Sequence, residues 1–217
     1  MTDGLWTLYG QPGWGSAIVD LQLGWYGLPT AFIPVGHLFE DPAAAARLRQ
    51  INPLGQIPAL ILPDGTLMTE SGAITLLLAD MAAPERSLVP PPQAPERAAF
   101  LRWLLFINSA IYPCYTVMDR ADTLVPDPAA REGFSVQMRD RLLAAYRLWD
   151  AAVTGPWCLG GRMSALDFYA AVMVRWTPGP EWFAAEAPAL WAVAQRVWAL
   201  PELAEVWRRN GLPAGEE

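Results

Sequence analysis

Apolar and polar positions alternate in short, changing rhythms over the first 81 residues and settle into a helical period afterwards. GLWTLYG, at residues 4–10, is a short apolar run closed by glycine and predicts a strand. Over residues 16–26, Ile18, Val19, Leu21, Leu23 and Trp25 mix i+3 and i+4 spacings, which predicts a helix with Gly27 at its C-cap. PTAFIPV, residues 29–35, reads as a second strand stopped by Gly36. The Ala-rich segment DPAAAARLRQINP predicts a short helix that stops before Pro53, because the residue preceding a proline avoids the α region. Residues 59–62 and 66–68 predict two strands around Pro63-Asp64-Gly65, with glycine where the turn needs a positive φ. A helix over Ser71–Met81 completes the order β-α-β-α-β-β-α, the pattern of a mixed sheet covered by helices.

Residues 82–96 then hold five prolines, too many for a helix interior or a central strand, and read as a linker. Beyond it every strong period is helical. Residues 100–118 place Phe100, Trp103, Leu104, Ile107, Ile111, Tyr115 and Met118 on one stripe, with a kink or break expected at Pro113. Residues 133–153 repeat the pattern through Met138, Leu142, Tyr146, Trp149 and Val153. Ser164 followed by Asp167 is a capping box at the start of a further helix. Residues 187–210 predict one or two more helices around Pro201. The organisation expected is a mixed domain over 1–81, a Pro-rich linker over 82–96 and an all-α domain over 97–217.

Composition narrows the function. With 53% hydrophobic and 17% charged residues, the chain supports a substantial core rather than disorder. The run at residues 100–107 is too short for a membrane span and contains Arg102. The start, MTDGLWTL, lacks the basic region and cleavage site of a secretory signal, so a cytoplasmic location is expected. A net charge of −7 without any Lys/Arg run argues against nucleic acid or an anionic membrane as partner. An anionic small molecule would instead be held by backbone amides and helix N-termini. Cys114 and Cys158 form no CxxC and read as small apolar packing groups, while a lone His37 makes no metal site.

Two stretches carry candidate chemistry. In LYGQPGWGSAIV, a Gly/Pro loop runs from the first strand into the first helix and offers Tyr9, Trp14 and Ser16. In residues 52–78, NPLGQIPALILPDGTLMTESGAITLLL resembles the signature of cytosolic glutathione transferases: Asn-Pro-x-Gly-x-Ile-Pro-x-Leu, a hairpin, then Glu-Ser-x-Ala-Ile at a helix start. The resemblance extends to the linker, the helical second half and the Ser164-x-x-Asp167 box after GGR. It implies a thioredoxin-like N-terminal domain followed by an all-helical domain, in a bacterial-like Ser-type member that acts as a homodimer and uses glutathione as co-substrate without a metal. It implies that Ile57 pairs with the glutathione backbone ahead of a cis-Pro58, with Gln56 near the cysteinyl-glycine end. Ser71 and the first-turn amides would take the γ-glutamyl carboxylate, and Glu70 the ammonium. His37 is a candidate for the glycyl carboxylate.

The thiolate needs a donor, for which Ser16 and Tyr9 are the candidates; Ser16 serves equally well as a plain N-cap. Trp14 falls where Ser-type members usually carry a hydroxyl, a departure from the family pattern. A small hydrophobic electrophile would lie against Trp14, Tyr112, Tyr115 and Met118. The expected activity is glutathione conjugation; the alternative is a glutathione-binding or protein-interaction module with little catalysis.

Overall fold

The computed structural model describes residues 4–211. A four-stranded sheet in the order β2-β1-β3-β4 is built from β1 (Trp6–Gly10), β2 (Thr30–Pro34), β3 (Ala59–Ile61) and β4 (Leu67–Met68). β1 runs parallel to β2 and antiparallel to β3, and β3 is antiparallel to β4; Leu8 stands opposite Phe32 on one side and Leu60 on the other. The helices α1 (Ser16–Trp25), α2 (Pro42–Arg49) and α3 (Ser71–Met81) complete this thioredoxin-like half. Gly27, at φ +67°, ends α1 and turns the chain into β2, a conformation that costs glycine little.

The second half is helical: α4 (Arg97–Phe106), α5 (Tyr112–Asp119), α6 (Ala121–Leu124), α7 (Pro128–Asp150), α8 (Ala165–Met173), α9 (Pro180–Glu186), α10 (Pro188–Trp198) and α11 (Ala204–Arg209). Between α4 and α5 the chain makes a π-helical turn over Ile107–Ile111. The break expected at Pro113 therefore falls earlier. Pro113 sits in the first turn of α5, where a missing N–H disturbs least. α7 begins five residues before its hydrophobic stripe does, because Asp127 accepts from the Ala129 N–H (2.9 Å) and Pro128 occupies the first position. The short helices α6 and α9 carry too little periodicity to be read from sequence.

Two apolar clusters hold the chain together. Trp6, Leu8, Val19, Leu23, Leu60, Ile74 and Leu78 pack between the sheet and helices α1 and α3. The larger cluster fills the helical half and takes in Ala17, Ile18 and Leu21 from the opposite side of α1. That helix is buried on all sides from Ser16 to Leu23, which explains its weak amphipathic pattern. The Pro-rich segment is docked rather than loose: Leu88 and Val89 are buried, and the Leu88 N–H donates to the Tyr26 hydroxyl at 3.0 Å. Burial pushes the Tyr26 phenol up to about 12. At the start of α8, buried Asp167 accepts from the amides of Ser164 and Cys158, each at 2.6 Å, tying the preceding loop to the helix. None of the described helices is long and apolar enough to cross a membrane.

Candidate functional site

β1 ends at Gly10, and the loop that follows must double back tightly into α1. A Cβ on Gly10 would lie 2.4 Å from Ser16 Oγ, so only glycine fits. The Ser16 hydroxyl donates to the Gln11 carbonyl (3.1 Å) and accepts from the Gln11 N–H (3.0 Å). Ser16 is fully buried and does not line the cleft; Gly15 occupies the N-cap position instead. A serine hydroxyl in a turn readily closes a local bond of this kind. The sequence expectation that Ser16 faces a ligand is corrected accordingly. Tyr9 also stays out of the cleft, standing in β1 between Ile33 and Ala59.

The loop is held from the helical half. Trp176 Nε1 donates to the Gly13 carbonyl at 2.8 Å, and the Gly13 N–H donates to Asn210 Oδ1 at 3.3 Å, with Gly13 at φ +75°. Asn210 Nδ2 in turn donates to Asp20 at 2.8 Å, and Arg209 binds the same carboxylate through Nε (3.0 Å) and Nη2 (2.5 Å).

Between the two halves lies a cleft of about 920 Å³. One wall is made by Gln56, Ile57 and Pro58, with a cis bond before Pro58. Asn52 shapes that wall: its side chain donates to the Gln56 carbonyl at 2.7 Å and accepts from the Leu54 N–H at 3.2 Å. Gly55 turns there at φ +65°, with Arg49 so close that a Cβ would meet its Cγ at 3.1 Å. Beside this wall, Glu70 sits at φ 62°, ψ 103°, a backbone conformation costly for a residue with a Cβ and one that collects at functional sites. This turn directs the N-terminus of α3 into the cleft. Ser71 Oγ donates to Asn108 Oδ1 at 3.0 Å and accepts from the Tyr169 hydroxyl at 2.9 Å, so the α3 tip is joined to the helical half. Burial raises the Tyr169 phenol, which stays a donor.

The opposite wall is aromatic. Trp14 stacks on Phe39 and meets His37 edge-on, each with ring centroids 5.2 Å apart. Tyr112 and Tyr115 lie edge-to-face with Trp176 at 5.6 and 5.2 Å. The Tyr115 hydroxyl donates to the Thr177 carbonyl at 2.6 Å and lies 2.7 Å from the Tyr146 hydroxyl. Tyr112 Oη is buried and has no hydrogen-bond partner among the described residues, and burial drives its phenol well above the ordinary tyrosine value. Met118 does not line the cleft and packs against the helical core instead, a further correction to the sequence reading.

Of the sequence candidates, the structure brings Trp14, His37, Gln56, Ile57, Pro58, Glu70, Ser71, Tyr112 and Tyr115 to one cleft. It adds Arg49, Asn52, Asn108, Asp119 and Trp176, which the sequence reading passed over. Asn52 opens the Asn-Pro-x-Gly motif and was the one with a visible signal. No group of three His, Cys, Asp or Glu side chains that could hold a metal occurs among the described residues.

Comparison with known proteins fits this geometry. Residues 16–81 match the family model for the glutathione S-transferase N-terminal domain. The chain is 34% identical over 204 residues to the uncharacterized GST-like protein YncG of Escherichia coli (strain K12), covering 94% of this chain and 97% of the relative. It is 30% identical to glutathione S-transferase GstA of Escherichia coli O157:H7, over 75% of this chain and 77% of that one. A crystal structure of a glutathione transferase homolog from sulfitobacter, with bound glutathione, superposes with a TM-score of 0.82 at 26% identity, covering 96% of this chain and 99% of that one.

Proposed function

Because this chain belongs to the glutathione S-transferase family, we propose that its cleft binds glutathione and conjugates the thiol to a small hydrophobic electrophile. The observation that carries the reading is the pairing of two features across one cleft: the Gln56–Ile57–Pro58 edge and the α3 N-terminus exposed by the Glu70 turn. In this reading Ile57 pairs with the peptide part of glutathione as an added strand would. The first-turn amides of α3, that of Ser71 among them, take the γ-glutamyl carboxylate, since unsatisfied N–H groups and the helix dipole favour an anion there, while the Ser71 hydroxyl is engaged with Asn108 and Tyr169. Glu70 meets the ammonium, while Arg49 and His37 stand at the end suited to the glycyl carboxylate. In this reading residues 1–81 are the glutathione-binding domain and residues 97–217 supply the electrophile side through Tyr112, Tyr115 and Trp176, with Trp14 facing it from the β1–α1 loop. A homodimer and a cytoplasmic location accompany the assignment.

Conjugation needs the sulfur as a thiolate. Lowering an ordinary thiol pKa of about 8.5 by about 2 units takes roughly 2.7 kcal/mol of differential stabilisation. The N-terminus of α1 adjoins the cleft, where its N-cap Gly15 is part of the lining, and the helix dipole favours an anion ahead of it. The reaction then proceeds by attack of the sulfur lone pair on an electrophilic carbon. The leaving group departs with its bonding electrons, and the thiol proton goes to solvent.

A second reading has its own support. The one serine hydroxyl of the loop, Ser16, is spent on Gln11, as a glutathione-binding module with little catalysis would allow. Calorimetry with glutathione, paired with turnover of 1-chloro-2,4-dinitrobenzene, separates the two. Binding with turnover supports the transferase, binding without turnover across an electrophile panel favours the module, and no binding overturns both.

A further inference from the structure

We infer that Tyr169, from the helical half, is a positioning residue for glutathione: through Ser71 it holds the α3 N-terminus in the orientation that takes the γ-glutamyl carboxylate. The inference rests on the glutathione reading of the cleft. Tyr169 is the fifth residue of α8, whose start the Ser164–Asp167 capping box fixes, and it is fully buried. Its hydroxyl donates to Ser71 Oγ at 2.9 Å. Ser71 gives its own proton to Asn108 Oδ1 at 3.0 Å, and Asn108 Nδ2 donates to the Leu104 carbonyl at 2.8 Å. That last bond orients the Asn108 amide, and with it the sense of the chain from Tyr169 to Ser71 to Asn108. Burial raises the Tyr169 phenol, so it keeps the proton this chain needs.

Ser71 is pinned through its main chain as well. Thr75 Oγ1 donates to the Ser71 carbonyl at 2.8 Å and accepts from Gln22 Nε2 at 3.0 Å, which ties α1 into the same network. The residue before Ser71 explains why the pinning is needed. Glu70 stands at φ 62°, ψ 103°, a costly conformation that persists only where the surroundings over-determine it. Relaxing that turn would carry the first-turn amides of α3 away from the cleft. Among the described residues, both hydrogen bonds of the Ser71 side chain go to the helical half. Asn108 borders the cleft; Tyr169 does not, and it reaches a ligand only through Ser71. With its one proton given to Asn108, the Ser71 hydroxyl has none left for a carboxylate, and its part is to orient the amides that do donate.

The test compares two ligands by calorimetry: glutathione, and the analogue that lacks only the γ-glutamyl α-carboxylate, the latter measured by displacement of glutathione. Tyr169→Phe keeps the ring and removes the hydroxyl. It should weaken glutathione about 3- to 10-fold, the range of one hydrogen bond, and leave the analogue within about twofold of its wild-type affinity. Ser71→Ala alone should discriminate between the two ligands in the same way, so the comparison stands on either variant. The double variant should bind glutathione no more weakly than Ser71→Ala, because Tyr169 acts through that hydroxyl. A loss of general stability would instead weaken both ligands alike. Where the wild-type protein binds glutathione, equal weakening of the two ligands, no weakening of either, or additive single variants overturns this inference and leaves the reading of the cleft in place. Absence of glutathione binding by the wild-type protein overturns that reading as well.

Discussion

Replacing Asp20 by alanine should destabilise the protein by about 3 kcal/mol and loosen the loop at the cleft. The Asp20 side chain is fully buried and accepts three hydrogen bonds, from Arg209 Nε, Arg209 Nη2 and Asn210 Nδ2. Breaking one partner out of a buried charged pair costs about 3–5 kcal/mol, because the remaining charge stays desolvated. The Arg209 side chain is 33% exposed and can turn to water, which places the expected loss at the lower end. For a chain of this size each kcal/mol moves Tm by roughly 2–4 °C, so the fall should be roughly 6–12 °C. Thermal unfolding by circular dichroism at fixed protein concentration reads it. In a cycle with Arg209→Met, the double variant should lose less than the sum of the singles, since the two residues share one interaction. Asn210 also holds the Gly13 amide, so KM for glutathione should rise in Asp20→Ala. A Tm change below about 2 °C, or simple additivity in the cycle, refutes the reasoning.

Glu70→Gly should separate stability from binding. Relief of the positive φ should stabilise the fold by about 1 kcal/mol net of the greater freedom glycine has when unfolded, while glutathione affinity by calorimetry falls at least about tenfold. An unchanged affinity would remove Glu70 from the ammonium site. Asp119 gives a pH signature. Partial burial pushes its carboxyl up, so the folded state holds that proton more tightly than the unfolded chain does. The cost of ionising it is absent below the unfolded value of about 3.9 and grows as pH rises through the shifted range. Asp119→Asn should therefore raise Tm slightly at pH 7 and leave it nearly unchanged at pH 4, when scanned by calorimetry, the gain kept small by the solvent exposure of the residue.

What the chain discloses of itself follows from the range of each interaction. Signals that act over three or four residues were legible: the capping box at Ser164 and Asp167, the hairpin around Gly65, and the motif at Asn52–Pro58. The start of α7 was legible too, in the Asp127-Pro128 pair, but the hydrophobic stripe begins later and drew the boundary with it. Ser16 shows where local reading ends. Whether a hydroxyl in the first turn faces a ligand or its own loop depends on the path of that loop, which is fixed by Asn210 and Trp176 from the far end of the chain. The unpaired phenol of Tyr112 was likewise invisible, since only the folded chain lays Gly15 over it. Met118 lies on the same hydrophobic stripe as Phe100, Ile107 and Ile111 and packs against the core they form, so its period alone did not distinguish it from a cleft residue.

That turn has an evolutionary consequence. A π-helical turn holds one residue more than the α-helical path, and one residue of α-helix is about 100° of rotation. Loss of a single codon within Ile107–Ile111 would swing α5 by that angle about its own axis while leaving its amino acids as they are. Tyr112 would leave the loop, and the now exposed Pro113 would be carried toward a different face. The aromatic wall of the cleft can thus be exchanged wholesale by insertion or deletion, rather than by substitution one side chain at a time.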